Sequence, residues 1–242
     1  MLEKELAALE NPEMPVFFVD DNLLVDKERS KKLLQLFKKY KIRWWSQADI
    51  CIGQDEKMLE LIKESGCIKL VVGFESLSAE NINKIGKTQN KVGDYADFIS
   101  KMHRHGILVN TSFSFGGDDD REDVFETTLK FLVEHQVIFA TFNILTPLPG
   151  TQLFAQMTKE GRIIDWDWSH YDMGHPVFQP KHMSPQALKE GYDWICQEFY
   201  GLPRIHNRVS AIKEQKERFD INLILMWSLG YKKMLDAFGV FM

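Results

Sequence analysis

The sequence is poor in cysteine and has no closely spaced cysteine group. Its 242 residues include three cysteines, Cys51, Cys67 and Cys196, and no two of them form a CxxC pair. An odd number of widely spaced cysteines argues against a disulfide framework and favours free thiols in a reducing compartment. We therefore expect a cytoplasmic protein, and no metal ligands are predicted within this sequence.

The sequence also lacks a long hydrophobic run and an excess of positive charge. Its most apolar late stretch, INLILMWSLG at 221–230, is shorter than the roughly 20 residues that span a bilayer. The opening MLEKELAALE is charged and does not resemble a secretory signal. The formal net charge is -5, with no basic block. We expect no transmembrane segment, and no nucleic-acid partner is evident.

What the sequence does contain is an alternation of apolar runs and helical patterns. The five apolar runs predict strands: VFFV (16–19), a strand within IRWWSQADICI (42–52), IKLVVGF (68–74), ILVNTSFSF (107–115) and VIFATFNIL (137–145). Helices are predicted at 27–40, 55–65, 91–105 and 120–135, with a short one after Ser78 and two late ones after Ser184 and at 221–238. This order predicts a parallel sheet with helices outside, whose strands, buried on both faces, lose polar alternation.

Polar residues follow the predicted strands where the apolar runs end. They are Asp20, Asp21 and Asn22 after the first strand, Ser46, Gln47 and Asp49 near the second, Glu75 and Ser76 after the third, Gly116 and Gly117 after the fourth, and Thr146 to Thr151 after the fifth. Ligands of parallel α/β sheets bind beyond the carboxyl ends of the strands, so a binding site is predicted there. We interpret Asp118 to Asp120 as caps of the next helix rather than as metal ligands.

Four of these blocks together resemble the radical SAM superfamily: FFVDDNLLVDKERSKKLL (17–34), GCIKLVVGFESLS (66–78), FSFGGD (113–118) and LTPLPGTQLF (145–154). The resemblance is greatest to the branch whose full-length members carry an N-terminal cobalamin-binding domain. It implies an α/β fold, a partial parallel (βα) barrel of about five strands over residues 1–160. Residues 161–242 would form a mostly helical C-terminal extension.

The resemblance also implies cofactors and a site. S-adenosylmethionine (SAM) would be cleaved at a [4Fe-4S] cluster, and the resulting 5′-deoxyadenosyl radical would take hydrogen from a small-molecule substrate. Cobalamin would be a further cofactor through a separate domain. The positions that correspond to the family's SAM contacts are Asp20, Asp21 and Asn22 for the methionine amino end, Glu75 and Ser76 for the ribose and carboxylate region, and the backbone of Phe115 and Gly116 for adenine.

The sequence departs from the family in one respect, because the CxxxCxxC cluster motif is absent. We expect the first strand, the cluster loop and any cobalamin domain to precede residue 1, in a missing N-terminal half or on a partner chain. This chain alone would then be catalytically incomplete, and no catalytic residue is predicted in it. The strand at 16–19 would be an apolar sheet edge, through which we expect the chain to self-associate.

Two other functions stay open at this stage. One is a non-catalytic half-barrel that binds a small molecule or a partner, and the other is a metal-dependent hydrolase with Asp20, Asp21 and a histidine as ligands. His175 lies in the connector after the barrel. It either packs or faces the site, and packing is the favoured interpretation.

Overall fold

The computed structural model describes residues 2–9, 11, 14–212, 219–237 and 239–240. Five strands form one parallel sheet whose spatial order follows the chain: β1 (Val16–Phe18), β2 (Trp44–Gln47), β3 (Cys67–Glu75), β4 (Leu108–Phe115) and β5 (Phe139–Ile144). The helices are α1 (Leu2–Ala7), α2 (Lys27–Tyr40), α3 (Glu56–Glu64), α4 (Ala79–Lys84), α5 (Tyr95–Arg104), α6 (Val124–Glu134), α7 (Gln152–Lys159), α8 (Pro185–Tyr200), α9 (Leu202–Ile212) and α10 (Ile221–Ala237). The predicted α/β fold is confirmed.

Local sequence signals account for most helix boundaries. Asp26 caps α2, since its carboxylate accepts hydrogen bonds from two backbone N–H groups of the first turn, at 3.0 and 2.9 Å. Ser78 caps α4 and Ser184 caps α8 in the same way. The helix predicted from 91 begins at Tyr95, after a short 3₁₀ turn. Residue 238, the predicted end of the last helix, lies outside the described residues.

The expectation that the strands lose polar alternation is wrong for β4 and β5. Ser112 and Asn143 lie on the sheet face that also carries Glu75, hereafter the inner face. On the opposite face, Phe115 packs on α6 and Phe142 packs on α8. Helices therefore pack on one face of the sheet and form a hydrophobic core with it. On the inner face, alternate positions of β4 and β5 carry polar side chains such as Ser112 and Asn143.

Helix α10 closes the inner face near the amino ends of the strands. Trp227 of α10 lies 6.1 Å from Trp45 and 5.9 Å from Phe139, measured between ring centroids. The ammonium of Lys69 sits between the rings of Trp45 and Trp227, 3.9 and 4.1 Å from their centroids. Lys69 is 3% exposed, and burial lowers its pKa to about 8. Among the described residues, α10 thus covers the inner face around Trp45, Lys69 and Phe139, away from the carboxyl ends of the strands.

The two edge strands of the sheet, β5 and β1, differ in whether other parts of the chain cover them. At the β5 edge, the Tyr200 hydroxyl donates to the Ala140 carbonyl at 2.6 Å and accepts from the Ala140 N–H at 3.2 Å. The Ile144 N–H of the same strand donates to the Met173 carbonyl at 2.7 Å. At the other edge, β1 pairs with β2 alone and its Phe17 is exposed. Residues after 160 thus supply hydrogen-bond partners to backbone groups at the β5 edge. At the opposite edge, β1 is the apolar edge strand that was predicted.

The extension after residue 160 shares the core of the sheet. Leu188, Ile195 and Phe199 of α8 belong to the same buried cluster as Phe113 and Phe142. The division into 1–160 and 161–242 stays a prediction. Within the described ranges, no helix is both long enough and apolar enough to cross a bilayer.

Candidate functional site

Two cavities at the carboxyl ends of the strands share the side chain of Glu75. The first has a volume of about 260 Å³, and the second about 370 Å³. The first is lined in part by Asp21, Asn22, Gln47, Asp49, Glu75 and Ser112, the second in part by Glu75, Ser76, Asn81, Ser114, Gly117 and Arg162. An elongated ligand that occupied both would pass over the Glu75 carboxylate.

The structure brings four of the predicted site residues to these cavities. Asp21 and Asn22 line the first cavity, Ser76 lines the second, and Glu75 lines both. The side-chain oxygen Oδ1 of Asn22 is buried and has no hydrogen-bond partner in the described part of the chain. Leaving a buried acceptor unpaired costs free energy, so a donor, either a bound water or a group of a ligand, would stabilise this oxygen. Asp20 is exposed and lies 3.5 Å from the guanidinium of Arg29 instead.

Glu75 is held in an unusual backbone conformation. Its φ is 67°, in the left-handed region, and the pairing of β3 with β4 shifts register between Gly73 and Glu75. A Cβ atom at Gly73 would lie 2.2 Å from Oε1 of Glu75, so glycine is needed for the carboxylate to hold this position. Lys87 forms an ion pair with the same oxygen. The strand end is therefore shaped to present this carboxylate.

Asp120 organises the turn after β4. Its Oδ2 accepts from the N–H groups of Gly116 and Gly117, both at 2.9 Å, and its Oδ1 accepts from Asn81 Nδ2 at 2.7 Å. Burial raises the pKa of Asp120 to about 6. The interpretation of Asp118 to Asp120 as helix caps is wrong, because α6 begins only at Val124 and these carboxylates are engaged elsewhere.

The neighbours of Asp120 also have partners distant in sequence. Asp118 accepts from Arg162 Nη1 at 2.9 Å and from Lys181 Nζ at 2.6 Å, and Asp119 accepts from the Ser78 hydroxyl at 2.6 Å. The cations hold the pKa of Asp118 below its usual range despite burial. The loop after β4 is thereby tied both to the loop after β3 and to the extension.

Two of the predicted site positions do not present a side chain to either cavity. Phe115 is buried against Phe125, with ring centroids 4.8 Å apart, and its carbonyl accepts from the Leu145 N–H at 2.8 Å. The N–H of Gly116 is bound to Asp120. The next residue, Gly117, does line the second cavity. A role of the backbone at Phe115 and Gly116 in binding adenine stays a prediction.

Sequence reasoning missed the polar residues of the inner face. Asn143 Nδ2 lies 3.3 Å from the Ser112 hydroxyl, and the Thr141 hydroxyl lies 3.3 Å from Asn110 Oδ1. These two side-chain pairs link β4 to β5 on the inner face of the sheet. Their signal was present in NTSFS and TFN, where polar and aromatic residues alternate. Reading the strands as buried on both faces concealed it.

The cysteines do not form a cluster site. All three are free, and Cys67 and Cys196 are buried. Burial raises the pKa of both thiols, that of Cys196 to about 12, which disfavours the thiolate form that binds iron. Among the described residues, no three histidine, cysteine or carboxylate side chains are grouped to hold a metal ion. The hydrolase hypothesis therefore lacks its ligand set there.

The site fits one of the implied cofactors better than the other. The unpaired Asn22 oxygen and the carboxylates of Asp21 and Glu75 match the ammonium and ribose hydroxyls of SAM by chemistry. The residues described supply no thiolate group for an iron-sulfur cluster.

No protein-family model matches the chain. The chain is 33% identical over 194 residues to bacteriochlorophyllide d C-12(1)-methyltransferase of Chlorobaculum tepidum, which covers 80% of the chain and 42% of that protein. It is 26% identical over 237 residues to hopanoid C-2 methylase of Rhodopseudomonas palustris, covering 90% of the chain and 45% of that protein. The chain therefore spans less than half the length of these relatives.

Solved radical SAM structures share the fold. The methyltransferase TsrM of Kitasatospora setae, with cobalamin and a [4Fe-4S] cluster bound, aligns with a TM-score of 0.57 and 16% identity, over 78% of this chain and 39% of that one. The radical SAM enzyme coproporphyrinogen III oxidase of Escherichia coli aligns with a TM-score of 0.52 and 15% identity, over 72% and 37%. From its parallel sheet, its strand-end site and these relatives, we conclude that the chain belongs to the radical SAM superfamily.

Proposed function

We propose that this chain is the SAM-binding part of a radical SAM methyltransferase whose substrate is a tetrapyrrole. The observation that carries the proposal is the convergence of Asp21, Asn22 and Glu75 on one strand-end cavity, with the Asn22 oxygen unpaired. The tetrapyrrole class is supported by the 33% identity to a bacteriochlorophyllide methyltransferase. An anaerobic magnesium-protoporphyrin IX monomethyl ester cyclase of Cereibacter sphaeroides is a further relative, at 21% identity over 66% of the chain.

In this proposal the strand-end residues bind and orient SAM. Asn22 Oδ1 and the Asp21 carboxylate accept from the methionine ammonium, and Glu75 and Ser76 bind the ribose and carboxylate region. Asp20, which pairs with Arg29 and does not line the cavity, contributes its charge from outside it. When bound, SAM and a [4Fe-4S] cluster supply a 5′-deoxyadenosyl radical, with cobalamin as a methyl carrier where its domain is present. The side chains of this sheet hold the nucleoside still and keep water from it.

We further propose that the cluster cysteines belong to a polypeptide segment outside this sequence. The three cysteines here are ungrouped, and two of them are buried. The chain alone would then be catalytically incomplete. Anaerobic reconstitution with iron and sulfide should yield no stable [4Fe-4S] absorbance. A stoichiometric cluster that is lost in a Cys51→Ser variant would contradict this.

A polycyclic lipid is the second candidate substrate. The hopanoid methylase aligns over 90% of this chain, a longer match than that of the chlorophyllide enzyme, although at lower identity. Both classes are large, multi-ring and mostly apolar.

The test of the proposed function is SAM binding by isothermal titration under anaerobic conditions. Asn22→Ala and Glu75→Gln should each weaken binding about tenfold or more, because a hydrogen bond to a charged group contributes about 1.5–3 kcal/mol. Glu64→Gln is the matched control, since Glu64 also pairs with a lysine, Lys38, but does not line these cavities. Equal affinities in all variants would remove these residues from the site, and no binding at all would contradict the proposal that this chain binds SAM.

A further inference from the structure

A third cavity lies where the C-terminal extension meets the β5 edge. Its volume is about 190 Å³, and it is lined by residues of β5, the connector after α7, α8 and α10. Thr141 and Asn143 form one wall, so the cavity adjoins the inner face of the sheet. Met173 and Met234 form part of the rim and are exposed. Flexible thioethers beside a polar sheet face suit a large, flat and mostly apolar ligand.

Asp172 and His175 form an oriented pair in the wall of this cavity. The two carboxylate oxygens of Asp172 lie 3.0 and 2.9 Å from His175 Nδ1. The same carboxylate accepts from the backbone N–H groups of Gly174, at 2.9 Å, and of His175, at 3.1 Å. The Met173 carbonyl ties this loop to β5 through Ile144. The carboxylate favours the proton on Nδ1, which leaves the lone pair of Nε2 available.

The second ring nitrogen of His175 is not used by the fold. Within the described part of the chain no hydrogen bond to Nε2 occurs, and the side chain is 51% exposed. This exposure disagrees with the interpretation of His175 as a packing residue. A histidine that ligates a metal almost always donates its other nitrogen to a carboxylate or carbonyl, as His175 does to Asp172.

A single imidazole can complete the coordination of a metal ion whose other ligands belong to the bound molecule. Among the described residues no group of three ligating side chains surrounds His175, so a bare ion would be held weakly. A tetrapyrrole fills the equatorial positions of its metal with four ring nitrogens and leaves an axial position for one protein ligand. The exposed nitrogen, the methionine rim and the adjoining inner face therefore match one class of ligand.

We propose that His175, oriented by Asp172, is the axial ligand to the metal of a metallotetrapyrrole substrate, whose ring lies against the rim of the third cavity and the inner face at β5. This inference rests on the proposed tetrapyrrole substrate class. It adds the residue that recognises the metal, and it distinguishes a metallated ring from a metal-free one or a lipid.

The chain offers a matched control in the same connector. His170 also pairs with a carboxylate, its Nδ1 lying 2.7 Å from Asp165 Oδ2, and it is partly exposed. Its ring centroid is 5.1 Å from that of His175, yet it is absent from the lining of the third cavity. His170→Gln therefore changes the same chemistry outside the cavity.

The experiment titrates the full chain with zinc protoporphyrin IX and, in parallel, with metal-free protoporphyrin IX, following the Soret band. We expect a saturable red shift with the zinc compound. His175→Gln should abolish the shift and weaken zinc porphyrin binding about tenfold or more, and Asp172→Asn should weaken it about tenfold. His170→Gln should bind as the unmodified chain does, and circular dichroism of each variant shows that the fold is retained.

The other outcomes separate this inference from the proposed function. If both porphyrins bind equally and His175→Gln changes neither, axial ligation is wrong and the tetrapyrrole class survives. If His170→Gln abolishes the shift as well, the shift does not report ligation by His175 and the proposal is overturned. If neither porphyrin binds, both the inference and the tetrapyrrole class are wrong, while SAM binding remains to be judged by its own titration.

Discussion

Removing one buried hydroxyl at the β5 edge should destabilise the chain more than the loss of a single hydrogen bond. Tyr200 is 1% exposed, and its hydroxyl satisfies both the N–H and the C=O of Ala140, a residue that is fully buried. Tyr200→Phe keeps the ring and leaves both backbone groups without a partner. Each buried unpaired group costs about 1–3 kcal/mol. Removing the hydroxyl's own burial cost offsets part of this, so we expect a loss of about 2–4 kcal/mol.

The assay is urea unfolding, with the midpoint compared at constant m-value. Tyr95→Phe is the control, because the Tyr95 hydroxyl donates to the Phe74 carbonyl at 2.7 Å, and this carbonyl keeps a second donor, Asn90 Nδ2, at 3.4 Å. We expect about 1 kcal/mol or less for the control. If Tyr200→Phe costs no more than Tyr95→Phe, water reaches the β5 edge and the account of how the extension closes it is wrong.

Three further changes test other parts of the molecule. Lys69→Met should raise the free energy of unfolding at pH 7 by up to ~3 kcal/mol, because lowering the Lys69 pKa from 10.5 to about 8 costs ~3 kcal/mol while the ammonium is charged. The gain should vanish in urea titrations as the pH rises from 8 through 10.5, and a loss at pH 7 would contradict the reasoning. Asp120 has its folded pKa raised from 3.8 to about 6, so its contribution to stability is lost as the pH rises from about 4 through 6, by up to ~3 kcal/mol. Asp120→Asn should remove that part of the pH dependence, and an unchanged slope would show that the carboxylate is well solvated. Phe17→Lys should give a monomer by sedimentation where the unmodified chain self-associates at micromolar concentration, and a monomeric unmodified chain would show that β1 is already protected.

The sequence predicts those features that depend on neighbours along the chain. Asp26 and Ser78 cap their helices through bonds to residues two or three positions away, and both were predicted. The strand-end position of Asn22 and Glu75 follows from the alternation of strands and helices alone. The apolar runs predicted which segments form strands of a parallel sheet. They did not predict which face of the sheet carries polar side chains.

Features that depend on distant partners were not predicted. From the sequence, Asp118 was predicted to cap a helix. In the structure it instead accepts hydrogen bonds from Arg162 and Lys181, which are 44 and 63 positions away. The sequence around Lys69 shows a charged residue within a strand, but it does not show that Trp227 of the last helix packs over its ammonium. No local pattern marks a side chain whose partner is brought to it only by the tertiary fold.

The unequal edges of the sheet limit the stoichiometry of any assembly that forms by backbone pairing. Tyr200 bonds both backbone groups of Ala140, and Met173 bonds the N–H of Ile144, so β5 offers a second sheet an interrupted row of free groups. Two copies that meet at β1 would be related by a two-fold axis and would pair antiparallel, each using up the other's edge. Such pairing gives a dimer with a continuous ten-stranded sheet, whose two outer strands are the partly occupied β5 strands, and this disfavours growth into a fibre.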